Sequence, residues 1–373
     1  MNRSRSFLRS HGPDIPPGEA VVATEIDWPH RGLVPCPAAP LLAGSLRQLG
    51  LRVRPAPIGV AAGATAGGSD VLAVSYADRR GAVAGFAVAV HPSVSLAAGD
   101  VVGRWYDVLR SRRLVTAATQ EPCHRWCGGP AARPAHGDHP APVPHPAPVP
   151  HPAEPGRDCA GPLCPLVDAA ADDVAEYAGR GDTVVVVGRP GTGAAGLLLG
   201  RAPGRTVLLR GLDEAAALTG IDPDRVSFVV QPGMPLEDAM PAVAALRERF
   251  PRLRGQHFDI LCPVASDRLA AVRSASTGAD LALVLGEADE DSRALARASG
   301  AARVRVVSRL DQIGPETVHA ATTVVLAPAH SMPPGLDTAL RHALGGLGPL
   351  SVSTCMVRTR PHPADEPALP LGR

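Results

Sequence analysis

The sequence of 373 residues contains no lysine, so all 37 of its basic side chains are arginine. Mechanisms that depend on a lysine amine, such as a Schiff base, are therefore excluded. The basic residues are balanced by 36 acidic ones, which gives a formal net charge of +1. There is no basic surplus and no basic run with interleaved aromatic residues, so neither nucleic acid nor an anionic membrane is favoured as the main partner.

Long apolar runs are also absent. No stretch approaches the ~18 uninterrupted apolar residues that indicate a membrane-spanning helix. The cationic residues 1–11 are not followed by the apolar segment of a secretory signal. We therefore expect a cytoplasmic protein.

The cysteines are few, odd in number and scattered over the chain. An odd set in a large intracellular protein argues against a disulfide framework and leaves metal binding or simple burial as explanations. The seven cysteines are Cys36, Cys123, Cys127, Cys159, Cys164, Cys262 and Cys355.

The length predicts two or three domains, because domains usually contain about 100–200 residues. Composition and periodicity place the expected boundaries. We expect a disordered N-terminus at 1–19, an α/β domain at 20–111, a first cysteine element at 112–135, a Pro/His-rich linker at 136–157, a second lobe at 158–255, a third lobe at 256–350 and a tail at 351–373.

The linker contains the hexapeptide P-A-P-V-P-H twice, at 140–145 and 146–151. A segment this rich in proline forms neither helix nor sheet, so it is interpreted as exposed polyproline chain. Its histidines could capture a metal loosely, but their spacing suits neither one helix face nor a zinc finger, and a solvated linker is the favoured interpretation. They are His136, His139, His145 and His151.

From residue 164 onward, continuous Val/Leu runs alternate with amphipathic segments. This pattern is typical of parallel sheets with helices on both faces, which defines an α/β protein. Strands are predicted at 183–187, 206–210, 226–231, 258–261, 281–285, 303–307 and 323–326, and helices at 166–179, 236–250, 266–275, 291–299 and 335–344.

A glycine-rich stretch follows the first of these strands. Residues 188–193 have the spacing of a phosphate-binding loop, but Ala194 and Ala195 stand where the lysine and the hydroxyl residue are needed. Residues 191–196 fit the dinucleotide pattern G-x-G-x-x-G. Only about ten residues lead to the next strand, too few for the usual crossover helix, so we interpret the stretch as a glycine-rich connection.

Three cysteines lie at positions that suit a shared site. Cys164 precedes Pro165 at a predicted helix entrance, where the helix dipole favours a thiolate. Cys262 closes the predicted strand 258–261, and Cys127 follows a predicted strand at 112–118. Three thiolates can hold an iron–sulfur cube and leave one iron open to a ligand.

Several stretches resemble, in order, the hydroxymethylbutenyl diphosphate reductase (LytB) family. The run C-P-L-V at 164–167 is similar to the family motif D-A-T-C-P-L-V. Residues 224–231 with 236–238 resemble the strand that ends in Q-T-T-L-S-V-D-D-T, and 259–273 resembles D-I-C-Y-A-T-x-N-R-Q-E-A-V-R. W-C-G-G-P at 126–130 resembles F-C-A-G-V. The resemblance covers roughly residues 112–350.

The resemblance implies a pseudo-threefold arrangement of lobes, each a parallel sheet flanked by helices, around a [4Fe-4S] cluster. It implies Cys127, Cys164 and Cys262 as the ligands, with Cys36 in V-P-C-P-A-A-P as the alternative first ligand. In that alternative, residues 20–110 would be the first lobe. An active protein would reduce an allylic substrate with electrons from a donor such as ferredoxin or flavodoxin.

The sequence departs from the family where the substrate would react. The family's H-x-E falls on Thr192-Gly-Ala194, so the carboxylate that delivers protons is missing. Its threonine pair falls on 232–233, and its Ser-x-Asn element falls within 289–292, where three acids accompany Ser292. Ser331 corresponds to the serine of T-A-G-A-S-A-P, with His330 beside it as a proton-donor candidate.

Two functional classes are therefore expected. The order of the three cysteines favours an iron–sulfur reductase, on a substrate less anionic than the family's diphosphate. The lost carboxylate, threonines and asparagine favour a non-catalytic paralogue that serves as a binding or accessory protein.

Overall fold

The computed structural model describes residues 4–12, 14–28, 31–59, 68–77, 81, 83–118, 164–257 and 261–359. The chain divides into two compact units. Unit 1 comprises residues 1–117 and 272–355, and unit 2 comprises residues 118–271 and 356–373. The expected linker at 136–157, with its histidines, lies outside the described residues.

The N-terminal part of unit 1 forms a six-stranded sheet with the order β1-β5-β6-β2-β3 and with β4 paired to β2. Among the pairings that the described residues form in this sheet, only β2–β4 is parallel. The strands are β1 Ser4–Gly12, β2 Glu19–Trp28, β3 Gly32–Pro35, β4 Arg52–Gly59, β5 Ser69–Ala77 and β6 Val83–Val90.

The prediction of a disordered N-terminus at 1–19 is wrong for β1. Its backbone pairs with β5 in antiparallel register from Ser4↔Ala77 to Gly12↔Ser69. The polar, arginine-containing sequence of β1 has no strand signal of its own. The partner decides its conformation, because β5 is a buried strand whose free edge offers backbone groups that must be paired.

The second sheet of unit 1 has five strands in the order β13-β12-β14-β7-β15. The β12–β13, β12–β14 and β14–β7 pairs are parallel. The predicted tail at 351–373 begins too early, because residues 351–356 belong to the edge strand β15. The strands are β7 Arg112–Ala118, β12 Leu281–Leu285, β13 Val304–Val307, β14 Thr323–Pro328 and β15 Leu350–Met356.

One hydrophobic core joins both sheets of unit 1. It contains Phe86 of the six-stranded sheet, Leu283 of the five-stranded sheet and Trp105, which is fully buried and donates its indole N–H to Ser45 Oγ at 3.1 Å. Residues 20–111 therefore share a core with residues 281–347. The helices of unit 1 are α1 Ala39–Gln48, α2 Ser95–Asp107, α8 Glu290–Ala298, α9 Pro315–Val318 and α10 Leu336–Gly345.

Unit 2 is built on a four-stranded parallel sheet with the order β11-β10-β8-β9. Its core lies between the sheet and α6, where Phe228 and Leu246 are buried together. The strands are β8 Thr183–Val187, β9 Thr206–Leu209, β10 Val226–Val230 and β11 Arg254–Gly255; the helices are α3 Pro165–Gly179, α4 Gly193–Arg201, α5 Leu212–Ala217 and α6 Leu236–Arg249.

The glycine-rich connection after β8 is a helix, α4, so the prediction that the segment is too short for a crossover is wrong. Thr192 caps the helix and its Oγ1 accepts a hydrogen bond from Ala195 N at 3.2 Å. Ala194, Ala195 and Leu198 are buried. Nine helical residues suffice for the crossover, and Leu198 packs in one cluster with Val184 and Val186 of β8.

Helix α7 spans Val264–Ser276 and contains the boundary between the two units. Residues 258–260, which were predicted as strand, lie outside the described residues. No helix in the described ranges is long and apolar enough to cross a membrane. The α/β class expected from the sequence is confirmed, although the six-stranded sheet is mainly antiparallel.

Candidate functional site

The carboxyl ends of β8, β9 and β10 meet at one edge of the four-stranded sheet, the edge where sites in α/β folds collect. Gln231 follows β10 and fixes this edge, because its side-chain oxygen accepts a hydrogen bond from Arg189 N at 2.8 Å. The Arg189 guanidinium contacts the Asp238 carboxylate at 2.7 Å. The loop after β8 is thus held by both its backbone and its side chain.

Thr192 and Ala194, which stand at the family's H-x-E positions, have structural roles at the start of α4. The Thr192 hydroxyl caps the helix and also donates to Arg189 O at 3.1 Å. Ala194 is fully buried. Neither side chain can deliver a proton, since the hydroxyl is engaged in the cap and the methyl group has no titratable atom.

Cys164 is the N-cap of α3. Its backbone is extended, with φ −56° and ψ 126°, and its carbonyl accepts from Val167 N at 2.7 Å. The thiol makes no capping hydrogen bond, is half-buried and packs against Val167 and Ala194. The predicted placement at a helix entrance is confirmed, and the contact with Ala194 puts the thiol next to the loop that follows β8.

Cys262 is buried two residues before α7 begins. Its neighbour Leu261 packs in the same cluster as Val187 and Val230, the last residues of β8 and β10. The segment also carries Ser266, whose hydroxyl accepts from Leu236 N at 2.8 Å and donates to Glu237 at 2.6 Å. Cys262 therefore follows a segment that packs at the carboxyl edge of the sheet, within the same unit as Cys164.

The third expected ligand, Cys127, lies outside the described residues, as do Cys123 and Cys159. Within the described ranges, no group of three or more His, Cys, Asp or Glu side chains is arranged to hold a metal ion. The assignment of Cys127, Cys164 and Cys262 as ligands stays a prediction.

Cys36, the alternative first ligand, lies in unit 1 before α1. Its side chain is buried and donates weakly to Val34 O at 3.7 Å. Burial, together with the nearby negative charge of Glu25, raises the pKa of the Cys36 thiol to about 12. A cluster ligand must be a thiolate, so these surroundings oppose the role that the alternative requires.

Ser292 and Ser331 converge in unit 1 beside Gly286, the residue that follows β12. A Cβ atom at Gly286 would lie 2.8 Å from Ser331 Oγ, 3.0 Å from Ser292 Oγ and 2.7 Å from Ala329 Cβ. Ser331 Oγ accepts from Glu287 N at 3.0 Å. Ser292 is fully buried, and its hydroxyl has no hydrogen-bond partner in the described part of the chain.

The acids around Ser292 are engaged by neighbouring groups. Asp289 caps α8 by accepting from Ser292 N at 2.8 Å. Glu290 pairs with two arginines of the same helix, at 3.0 and 2.7 Å. Asp291 accepts from the backbone N–H of His330 at 2.8 Å and lies 3.2 Å from its Nδ1. These partners offset part of the negative charge beside the serine pair.

Two features of this cluster were not predicted from the sequence. Gly286 permits the close approach of the serines, and the signal was a glycine directly after a buried strand. Asp291 orients His330 by two contacts, for which the sequence offers no signal because 38 intervening residues separate them. The predicted proximity of His330 and Ser331 is a consequence of their adjacency in the chain.

A family model described as "LytB protein" matches residues 156–344. This match covers half of the chain, and the chain belongs to the LytB family. The matched residues include Cys164 and Cys262 and the serines beside Gly286. Residues 1–155 lie outside it.

Curated relatives are similar over the same part of the chain. The chain is 30% identical over 203 residues to 4-hydroxy-3-methylbut-2-enyl diphosphate reductase 2 of Mycobacterium bovis. This alignment covers 53% of this chain and 61% of that protein. It is 28% identical over 218 residues to the reductase of Leifsonia xyli, covering 57% and 63%. The chain thus spans about three fifths of the length of these relatives.

Among solved structures, the E-1-hydroxy-2-methyl-but-2-enyl-4-diphosphate reductase of Plasmodium falciparum aligns with a TM-score of 0.45 at 16% identity, covering 52% of this chain and 64% of that chain. A second structure, of (E)-4-hydroxy-3-methyl-but-2-enyl diphosphate reductase, aligns with a TM-score of 0.35 at 18% identity, covering 49% and 65%.

Proposed function

We propose that the chain is a divergent LytB-family protein that binds a [4Fe-4S] cluster and reduces an allylic substrate. The observation that carries the proposal is the placement of Cys164 and Cys262 in unit 2. Both thiols precede helices, and both belong to segments that pack at the carboxyl edge of the same parallel sheet.

The described thiols suit this cofactor by their chemistry. Neither forms a disulfide, and thiolate sulfur is the ligand that iron–sulfur clusters use. In this proposal Cys127 is the third ligand, because the surroundings of Cys36 keep its thiol protonated. A cluster held by three cysteines supplies electrons and an open iron that acts as a Lewis acid.

The substrate is proposed to be less anionic than the diphosphate of the named relatives. Ser292 and Ser331 are its proposed binding residues, since the Ser292 hydroxyl is buried and has no hydrogen-bond partner among the described residues. Glu287 and the acids of α8 stand beside them, and a diphosphate close to these carboxylates would be repelled by several kcal/mol where water screens poorly (roughly 4 kcal/mol at 4 Å and intermediate dielectric).

The second candidate function is a non-catalytic paralogue that acts as a binding or accessory protein. It is favoured by the loop after β8, where Thr192 is engaged in helix capping and Ala194 is buried. With no carboxylate at this position, proton delivery would need another group, for which His330 is the candidate in the enzymatic alternative.

Anaerobic purification followed by iron and sulfide analysis tests the cluster. We expect about four irons and four sulfides per chain after reconstitution, as a [4Fe-4S] centre requires. A colourless, iron-free protein that unfolds cooperatively would contradict the proposal.

Turnover tests the catalytic part separately. With reduced ferredoxin or flavodoxin as electron donor, we expect no reduction of 4-hydroxy-3-methylbut-2-enyl diphosphate by the cluster-loaded protein. Reduction of the corresponding free allylic alcohol would support the less anionic substrate. If neither compound is reduced while iron is bound, the paralogue is the better description, and rapid reduction of the diphosphate would overturn the substrate assignment.

A further inference from the structure

Unit 1 contains a cavity of about 640 Å³, within the roughly 300–1,000 Å³ range of small-molecule sites. It lies apart from Ser292, Ser331 and Gly286, none of which lines it. Its walls come from β2, the turn before α1, α1 itself, β4, the 3-10 turn Leu310–Gln312 and α10.

The floor of the cavity is apolar. Val22, Cys36, Ala39 and Ala43 line it, and each is buried by its other contacts. Because Cys36 is neutral, with its pKa raised to about 12 by burial and Glu25, the floor carries no thiolate charge. These side chains would hold an apolar body by removing its surface from water.

Helix α1 presents one continuous face to the cavity. Ala39, Ala43 and Arg47 are spaced four residues apart, so they lie one above the other along the helix. The two small side chains leave room for a ligand, and the third places a guanidinium at the end of the apolar surface. A molecule that lies along this face would contact the methyl groups of Ala39 and Ala43 and, at one end, the guanidinium of Arg47.

The basic side chains of the lining come from three elements that pack together. Arg47 is on α1, Arg309 precedes the 3-10 turn and His342 is on α10. Arg309 pairs through its Nε with the carboxylate of Asp311 at 3.0 Å, and because Asp311 also lines the cavity, it offsets part of the Arg309 charge. The guanidinium of Arg47 has no hydrogen-bond or ion-pair partner within the described ranges, so its charge is available to a ligand.

The N-terminal end of α1 does not offer free backbone N–H groups to an anion. Its first N–H groups are already bonded, from Ala39 to Cys36 O at 3.1 Å and from Leu41 to Ala38 O at 3.0 Å, and Pro40 has none. Glu25 stands at the β2 side of the cavity and repels anions there. An acid group would therefore be bound at the Arg47 side.

We propose that this cavity binds a small amphipathic anion, a molecule with an apolar body and one acid group. The apolar body would contact the floor formed by Val22, Cys36, Ala39 and Ala43. The acid group would contact the guanidinium groups of Arg47 and Arg309. The site is independent of the cluster and of the serines beside Gly286. It lies partly in residues 22–55, outside the part of the chain that matches the LytB family model.

A matched pair of fluorescent probes tests the proposal on the full chain. 8-Anilinonaphthalene-1-sulfonate carries a sulfonate, and N-phenyl-1-naphthylamine has the same apolar body without it. We expect both to bind one saturable site, with the sulfonate probe binding about three- to tenfold more tightly, the range of an exposed charge-assisted contact. Failure of both probes to bind would overturn the proposal.

Two variants test the contributions of the apolar floor and of the Arg47 charge separately. Arg47→Gln should weaken the sulfonate probe about three- to tenfold and leave the neutral probe unchanged. Ala43→Leu should weaken both probes about tenfold or more, because the larger side chain would fill the floor. Arg104→Gln, an exposed arginine of α2 that does not line the cavity, is the control for net charge.

Thermal unfolding of each variant verifies that it is folded, and Arg47→Gln tests the charge even if Ala43→Leu unfolds. If the two probes bind the unchanged protein with equal affinity, the proposed contact of an acid group with the guanidinium groups is wrong. If Arg104→Gln and Arg47→Gln weaken binding of the sulfonate probe equally, the assignment of the binding site to this cavity is wrong. It is also wrong if folded Ala43→Leu binds both probes with unchanged affinity.

Discussion

Cys36 and Cys164 occupy similar stretches of sequence in different units, and their surroundings differ. Each is followed directly by proline and then by a helix. Cys164 is itself the N-cap of α3 and half-buried. Cys36 lies three residues before the first residue of α1, is only 4% exposed and has its pKa raised to about 12. Burial and a neighbouring carboxylate outweigh any effect of the helix dipole at Cys36.

The largest expected effect of this difference is on cluster content. If Cys164 is the ligand that we propose, Cys164→Ser should lose nearly all bound iron, because a neutral hydroxyl would replace the thiolate. Cys36→Ala should keep the iron and sulfide content of the unchanged protein. Iron and sulfide analysis after anaerobic reconstitution measures both. If Cys36→Ala loses as much iron as Cys164→Ser, Cys36 is a ligand and the comparison is wrong.

The second expected effect is on thiol reactivity. Since burial raises the Cys36 pKa from 9.0 to about 12, its thiolate fraction near neutral pH falls about a thousandfold. Cys36 should therefore react with iodoacetamide at least about a thousandfold more slowly in the folded protein than in urea. Time-resolved alkylation with peptide mass spectrometry measures the rate at each cysteine.

In the metal-free protein, the half-buried Cys164 should be alkylated well before Cys36. Cys355 is also half-buried and provides the control for access in unit 1. Alkylation of Cys36 as fast as Cys355 would contradict the buried, protonated thiol.

The third expected effect is a pH dependence of stability. Folding favours the neutral form of Cys36, so its contribution to the free energy of unfolding is fully present below pH 9.0 and is lost as the pH rises toward about 12. The loss amounts to at most about 1.4 kcal/mol per pH unit. Urea unfolding of the metal-free protein between pH 8 and pH 11 measures it.

Cys36→Ala should show a shallower decline over that range than the unchanged protein. Parallel declines in the two proteins would mean that Cys36 titrates alike in the folded and unfolded chains.

The smallest expected effect is on helix capping in the metal-free protein. The Cys164 thiol makes no capping hydrogen bond, and serine is a preferred N-cap residue. Cys164→Ser should therefore stabilise the metal-free protein by about 0.5–1 kcal/mol, measured as a higher urea midpoint. Cys36→Ser should destabilise it, because a buried hydroxyl would replace a thiol. A lower midpoint for metal-free Cys164→Ser would contradict the observed N-cap geometry.

Parts of the fold were predictable because local sequence and burial agree. Residues 183–187 and 281–285 are unbroken apolar runs, and the structure places strands at those residues. Strand β1 and helix α4 were not predictable for opposite reasons. The first depends on pairing with β5, and the second is shorter than the usual crossover helix, although Thr192 at its start is a preferred N-cap residue.

The candidate site also combines features that the local sequence predicts with features that depend on tertiary contacts. Pro165 marks the helix entrance at Cys164, and the order of motifs identifies Cys262, Ser292 and Ser331. The contact of Asp291 with His330 and the close approach of the serines to Gly286 depend on neighbouring strands of one parallel sheet. Such contacts join residues far apart in the chain, so no local pattern contains them.

Hydrophobic periodicity, motif order and proline geometry were sufficient to predict the α/β class, the family resemblance and the helix entrance at Cys164. Three features depend on tertiary packing: the burial and protonation of the Cys36 thiol, the core that residues 20–111 share with residues 281–347, and the cavity that ends at Arg47. Desolvation and long-range packing arise when distant segments meet, and the order of residues does not encode them locally.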